Sequence, residues 1–199
     1  MYEITSGSAT DTGKKRKINQ DFFDCYIPRD PKEIKKGALL VLADGMGGYS
    51  GGEVASRMAV EKLMNNYYSD GIKNIIQSIK YWFQMANESI IDKAQQNSEL
   101  KDMGTTLTAI VIKKNKLFGA HVGDSRAYLV SKNEMIQLTT DHSYVASLVR
   151  KGYITEEEAE THPERNLITR AVGVKKEMEI DTFKRKINTR TTPYLLICC

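Results

Sequence analysis

Cysteine is scarce in this chain, and long apolar runs are missing. Only three cysteines occur, at positions 25, 198 and 199. They cannot build a disulfide framework, and adjacent Cys198-Cys199 lack the Cys-x-x-Cys spacing of a metal knuckle. Reduced thiols that pack as small hydrophobes are the expectation. No stretch approaches the roughly 18 apolar residues that cross a bilayer, so no membrane segment is expected. The start, Met1-Tyr2-Glu3-Ile4-Thr5-Ser6, has no basic stretch followed by an apolar run. No signal peptide is read there, and the expected location is cytoplasmic. Neither charge sign dominates. Lys plus Arg number 29 against 25 Asp plus Glu, a net +4 that is too small to imply a nucleic-acid partner. Internal repeats, low-complexity tracts and linkers are also missing, so residues 1–199 read as a single domain.

What is present is an ordinary globular composition, 41% hydrophobic and 27% charged, which excludes a disordered chain. Phe22 to Ile27 reads as a strand closed by Pro28 and Pro31. Ala38 to Ala43 is an apolar run of strand length, expected to be buried on both faces and to stop at Asp44. Helical stripes follow from Glu53 to about Tyr68 and from Ile72 to about Gln95. Short strands are predicted at Thr105–Ile112, Leu117–Val122, Arg126–Val130 and Met135–Leu138. His142–Arg150 reads as a short helix stopped at Gly152. Thr155-Glu156-Glu157-Glu158 is a capping-box start for another. Strand character returns at Glu177–Phe183 and Tyr194–Cys199. Grouped helices and hairpin-linked strands give an α+β class rather than βαβ alternation.

The most informative segment is Asp44-Gly45-Met46-Gly47-Gly48 at the end of the buried strand. Glycines there let the backbone turn and approach a bound group. A strand-end aspartate beside a free carbonyl offers hard oxygen ligands suited to Mg²⁺ or Mn²⁺. A phosphate-binding P-loop is excluded because no Gly-Lys-Ser/Thr follows. The dinucleotide fingerprint fails for want of its third glycine. Asn19-Gln20-Asp21, with Arg16 five residues ahead, and Gly123-Asp124-Ser125-Arg126, expected in a hairpin turn, are two further candidates. Taken singly, each is also an ordinary turn whose aspartate bonds its own backbone. Taken together, three converging aspartates would repel one another unless cations neutralise them.

With these motifs in view, the chain resembles the PPM-type (type 2C) metal-dependent serine/threonine protein phosphatases in their compact bacterial form. Six segments match in order. They are Thr10-Asp11-Thr12-Gly13 through Arg16 to Asn19-Gln20-Asp21, Val41 to Gly48, Gly104-Thr105-Thr106, Gly119 to Arg126, Leu138 to Ser143, and His162-Pro163 through Leu167 to Gly173. The resemblance implies a four-layer α-β-β-α sandwich, two antiparallel sheets flanked by helix pairs, with a metal centre in a cleft at one end. By the family pattern Asp44 bridges two Mn²⁺ or Mg²⁺ ions, and Asp21 and the Gly45 carbonyl bind the second. Asp124 helps hold a third, Arg16 grips the substrate phosphate, and residues 144–165 form a mobile flap. The implied reaction is hydrolysis of phosphoserine and phosphothreonine in proteins by a metal-activated water, opposing a Ser/Thr kinase. Met46 stands where some relatives carry a histidine acid. The sequence alone assigns that role to none of His121, His142 and His162.

The family pattern continues beyond the strand that resembles Tyr194–Cys199 with an Asp-Gly and a late Asp-Asn, both ligands of the first ion. The sequence given stops before them, so a C-terminally truncated domain is expected, with weak metal binding, little or no activity, an exposed sheet edge and self-association. The alternative reading is therefore a pseudophosphatase that binds phosphoproteins through Arg16 and the flap. A nucleic-acid role for the Lys14–Lys17 run is the least supported, since no aromatics cluster near it.

Overall fold

Side chains alternate across a strand, so the apolar runs of this sequence build two-sided walls. The computed structural model describes residues 3–14, 16–47, 51–188 and 193–199. Its elements run β1 (Asp21–Tyr26), α1 (Pro31–Ile34), β2 (Ala38–Met46), α2 (Gly51–Asn66), α3 (Ile75–Gln96), β3 (Gly104–Thr105), β4 (Leu107–Lys113), β5 (Lys116–Val122), β6 (Arg126–Val130), β7 (Met135–Gln137), α4 (Tyr144–Arg150), α5 (Glu156–Thr161), β8 (Asp181–Lys186) and β9 (Tyr194–Cys198). One antiparallel sheet has the order β1-β2-β4-β5-β8, with β3 paired to the end of β2. A smaller one has the order β7-β6-β9. The α+β class and the two antiparallel sheets are those the sequence predicted.

The alternation decides which layer each residue joins. Leu39, Val41 and Ala43 of β2 and Ala109 and Val111 of β4 face α2 and α3, which bring Ala55, Ala59, Leu63, Ile79, Phe83 and Ile90. Ile110 and Ile112 of β4, Leu117 and Phe183 face the other way. They meet Ala127, Leu129, Leu195 and Ile197 of the smaller sheet. β4 is thus buried on both faces, and its sequence shows a continuous apolar run rather than an alternating one. The helices α4 and α5 stand across a cleft of about 750 Å³ from β6 and β7. Among the described residues no helix is long and apolar enough to cross a membrane.

Four expectations change. The strand predicted to stop before Asp44 runs on to Met46, because Gly45 and Met46 pair with Thr105 and Gly104. The second long helix starts at Ile75. Asn74 caps it by accepting the Gln77 N–H at 3.2 Å, while the Ile72 N–H bonds Asp70. The strand expected at Glu177–Phe183 is shifted to Asp181–Lys186. Gly123-Asp124-Ser125-Arg126 is not a hairpin turn. β5 and β6 belong to different sheets, so this segment crosses between them. The Thr155–Glu158 capping box is present as read.

Candidate metal and phosphate site

The site is assembled from the ends of strands that reach one end of the sandwich. Asp21 and Asp44 are direct cross-strand partners in β1 and β2. Directly opposed residues share a face, so both carboxylates stand together. Val41 and Ala43 face the helices, so Asp44, next in the alternation, turns to the side where the second sheet lies. Local bonds hold each backbone in place. The Asn19 side chain accepts the Asp21 N–H at 3.0 Å, and the Gln20 carbonyl accepts the Gly45 N–H at 3.0 Å. Thr106 Oγ1 accepts the Asp44 N–H at 2.9 Å, while the Asp44 carbonyl takes the Thr106 N–H and the Thr105 hydroxyl, each at 2.9 Å. The Thr106 and Ser125 hydroxyls also share a hydrogen bond at 2.8 Å, tying this strand end to the crossover that carries Asp124.

Burial pushes the Asp44 carboxyl up to about 6, and the adjacent Asp21 charge adds to the rise. The Arg16 guanidinium pulls it down, and Asp124 adds a smaller upward push. Two carboxyl groups in hydrogen-bond contact need a shared proton or a cation between them. The Cys199 thiol joins them: one donor atom each from Asp21, Asp44 and Cys199 lies within 4.8 Å of the others. Burial, then the Asp21 and Asp44 charges, push that thiol up to about 12. This donor set of hard oxygens plus a protonated thiol suits Mg²⁺ or Mn²⁺ on its carboxylate side.

Asp124 sits outside this tight trio but within electrostatic reach of Asp44. Burial is the main cause of its raised pKa, with Asp141 adding to it and the charge of Arg126 opposing. Asp141 itself is engaged, accepting from Arg126 Nε at 2.8 Å and Gln137 Nε2 at 3.0 Å. Gly45 lies between strand and helix: a Cβ built on Gly52 would come 2.8 Å from the Gly45 carbonyl oxygen. Arg16 is exposed. It follows a turn in which Asp11 accepts the Gly13 N–H at 2.7 Å with Gly13 at φ +72°. Lys15 of the basic run and Gly48 of the glycine-rich motif lie outside the described residues.

The sequence reading missed Cys199 and the use of two histidines. His121 Nε2 faces the Gly123 carbonyl at 3.0 Å, so that nitrogen carries the proton and Nδ1 accepts from Thr108 Oγ1 at 2.8 Å. His142 Nδ1 accepts the Gly123 N–H at 3.1 Å, and the His142 N–H bonds the Gly123 carbonyl at 2.7 Å. Both rings therefore hold the backbone of Gly123, the residue before Asp124, with His121 at its carbonyl and His142 at its N–H, at φ +119°. Thr108 and His121 meet as cross-strand partners in β4 and β5, and His142 reaches Gly123 from the segment between β7 and α4.

Burial lowers His121 to about 4, with the neighbouring His142 adding to the drop. A histidine whose folded pKa lies below its unfolded value contributes stability that is present above about pH 6.5. That contribution is lost as pH falls from there towards 4, at up to roughly 3 kcal/mol. Urea midpoints measured between pH 7 and 5 are expected to fall in the parent and to stay flatter in H121N. Equal slopes in the two would contradict the assignment.

The chain matches the family model for protein phosphatase 2C over residues 13–175. The chain belongs to the protein phosphatase 2C family. It is 38% identical to the serine/threonine phosphatase stp of Listeria welshimeri over 193 residues, spanning 95% of this chain and 74% of that relative. The fold is similar to the crystal structure of the Mycobacterium tuberculosis serine/threonine phosphatase PstP/Ppp, with a TM-score of 0.80 and 36% identity, covering 95% of this chain and 75% of that one. A structure of the catalytic domain of PstP in complex with two manganese ions is also similar, with a TM-score of 0.74 and 35% identity, covering 89% and 70% of the two chains. Metal dependence is general to the protein phosphatase 2C family, and in this chain the Asp21 and Asp44 carboxylates stand together.

Proposed function

We propose that this chain is a protein phosphatase domain that hydrolyses phosphoserine and phosphothreonine esters in proteins, opposing Ser/Thr kinases. The observation that carries the reading is the cross-strand pair Asp21–Asp44 with the Arg16 charge beside it. Asp21, Asp44, the Gly45 carbonyl and Asp124 would hold two or three Mn²⁺ or Mg²⁺ ions. Such ions, when bound, activate water and offset negative charge on the phosphoryl group. Arg16 offers a planar fork of N–H donors that matches two phosphate oxygens. Thr105 and Thr106 fix the Asp44 backbone, which holds in place the strand end that carries its carboxylate. Neither His121 nor His142 is free to act as an acid there. His121 and His142 are buried at Gly123, while His162 lies tilted beside the Tyr144 ring and accepts the Glu164 N–H.

The non-catalytic, phosphoprotein-binding alternative is not favoured, because relatives matched over most of this chain are named as phosphatases. A cytoplasmic setting goes with three free thiols. The test is phosphate release from phosphoserine, phosphothreonine and phosphotyrosine peptides with Mn²⁺. Release from the first two is expected. No release, or equal release from phosphotyrosine, would contradict the proposal. For R16A, kcat/KM is expected to fall about 100-fold, and R16K is expected to restore little of it because an ammonium lacks the fork. Unchanged kinetics in R16A would remove Arg16 from the phosphate site.

A further inference from the structure

At the opposite end of the larger sheet the charge changes sign. Lys113 pairs with Lys116, and Lys116 with Lys186. Directly opposed residues share a face, so three lysines stand in one row across β4, β5 and β8, where like charges repel. Two residues inward on the same face, Lys184 Nζ lies 5.4 Å from the centre of the Phe118 ring. Lys114 at the hairpin tip and Arg185 bring the group to six cations, and all except the half-buried Lys113 are exposed. Neither 113–118 nor 182–188 contains a carboxylate. Among the described residues none of the six is in an ion pair. The acids from the same end are occupied, Glu33 by the Tyr26 hydroxyl and Asp70 by Lys36.

This corner is also a sheet edge. Among the described residues β8 pairs with β5 alone, so its outer backbone groups have no strand partner. Lysines on an edge strand guard against self-pairing. That role does not explain Lys113 and Lys114, which lie two strands inward and at a turn. Edge and cations together suit a polypeptide. An added strand bonds the free backbone, and its alternate residues face Lys184 and Lys186, two positions apart. We infer that this corner docks an extended acidic segment of a protein partner, paired along β8 with carboxylates at alternate positions.

The probe is a fluorescent (Thr-Glu)₄ peptide titrated by anisotropy at low salt, because screening weakens exposed charges. Charge reversal in K116E/K184E/K186E keeps the edge guarded and is expected to weaken binding at least about tenfold. The control K101E/K132E/K151E makes the same charge change elsewhere and is expected to bind within about twofold of the parent. A peptide N-methylated at alternate residues is expected to bind poorly. No binding, equal weakening in both triple variants, or full binding of the methylated peptide would overturn the inference. So would tighter binding of duplex oligonucleotide or phosphatidylglycerol vesicles through the same lysines. Turnover of p-nitrophenyl phosphate by K116E/K184E/K186E should match the parent, which separates this result from the fate of the catalytic proposal.

Discussion

Replacing Asp44 with asparagine is expected to lower phosphopeptide turnover about 1,000-fold while leaving the metal-free fold at least as stable as the parent. The first part follows from the position of Asp44 opposite Asp21. Loss of a partner that only supports a ligand costs about 10–100-fold, and loss of a direct oxygen donor costs more. The second part follows from repulsion. Asp44 is raised to about 6 by burial and by the Asp21 charge, so the metal-free pair is held under electrostatic stress. An amide of the same shape removes one of the two charges and can still donate to Asp21. A merely structural aspartate would behave the other way, losing stability on substitution and leaving turnover intact. Thermal melts in chelator and initial rates with Mn²⁺ separate the two cases.

Replacing Gly45 with alanine is expected to destabilise the fold by about 4 kcal/mol or more. A Cβ at this position would lie 2.0 Å from the Gly52 carbonyl oxygen, 2.3 Å from the Gly52 carbonyl carbon and 2.6 Å from the Gln20 carbonyl oxygen. All three are backbone atoms, so no rotamer change relieves the clash. Relief would require moving the start of α2 away from β2, or moving the Asn19–Asp21 segment that positions Asp21. Gly7→Ala is the control. Nothing lies within 4 Å of its added Cβ, and a change of under about 0.5 kcal/mol is expected. If urea midpoints for G45A and G7A coincide, the close packing of β2 on α2 is wrong.

The Gly45 contact shows what the sequence carries and what it leaves out. Asp44-Gly45-Met46-Gly47 was legible as a special strand end because glycine and aspartate interrupt an apolar run. Read locally, glycine suggests a turn, which ends the expected strand before Asp44, short of its actual end at Met46. Its actual cause is a backbone-to-backbone approach between residues 45 and 52, which only the folded chain contains. The pairing of Asp21 with Asp44 was accessible through the ordered motifs. The strands flanking Asp124 are adjacent in sequence, which predicts a hairpin, whereas they join different sheets. Cys199 reaches the carboxylates because β9 pairs with β6, Cys198 opposite Arg126, a register with no sequence signal. The two buried histidines act through backbone groups of Gly123, and such partners leave no trace in residue spacing.

Calorimetric titration of Mn²⁺ into the parent, D21N and D44N at pH 7 is the most direct test that divalent ions bind between residues 21 and 44. Saturable binding to the parent, weakened at least about tenfold in each variant, is the predicted result. Binding of equal strength in all three proteins would contradict it.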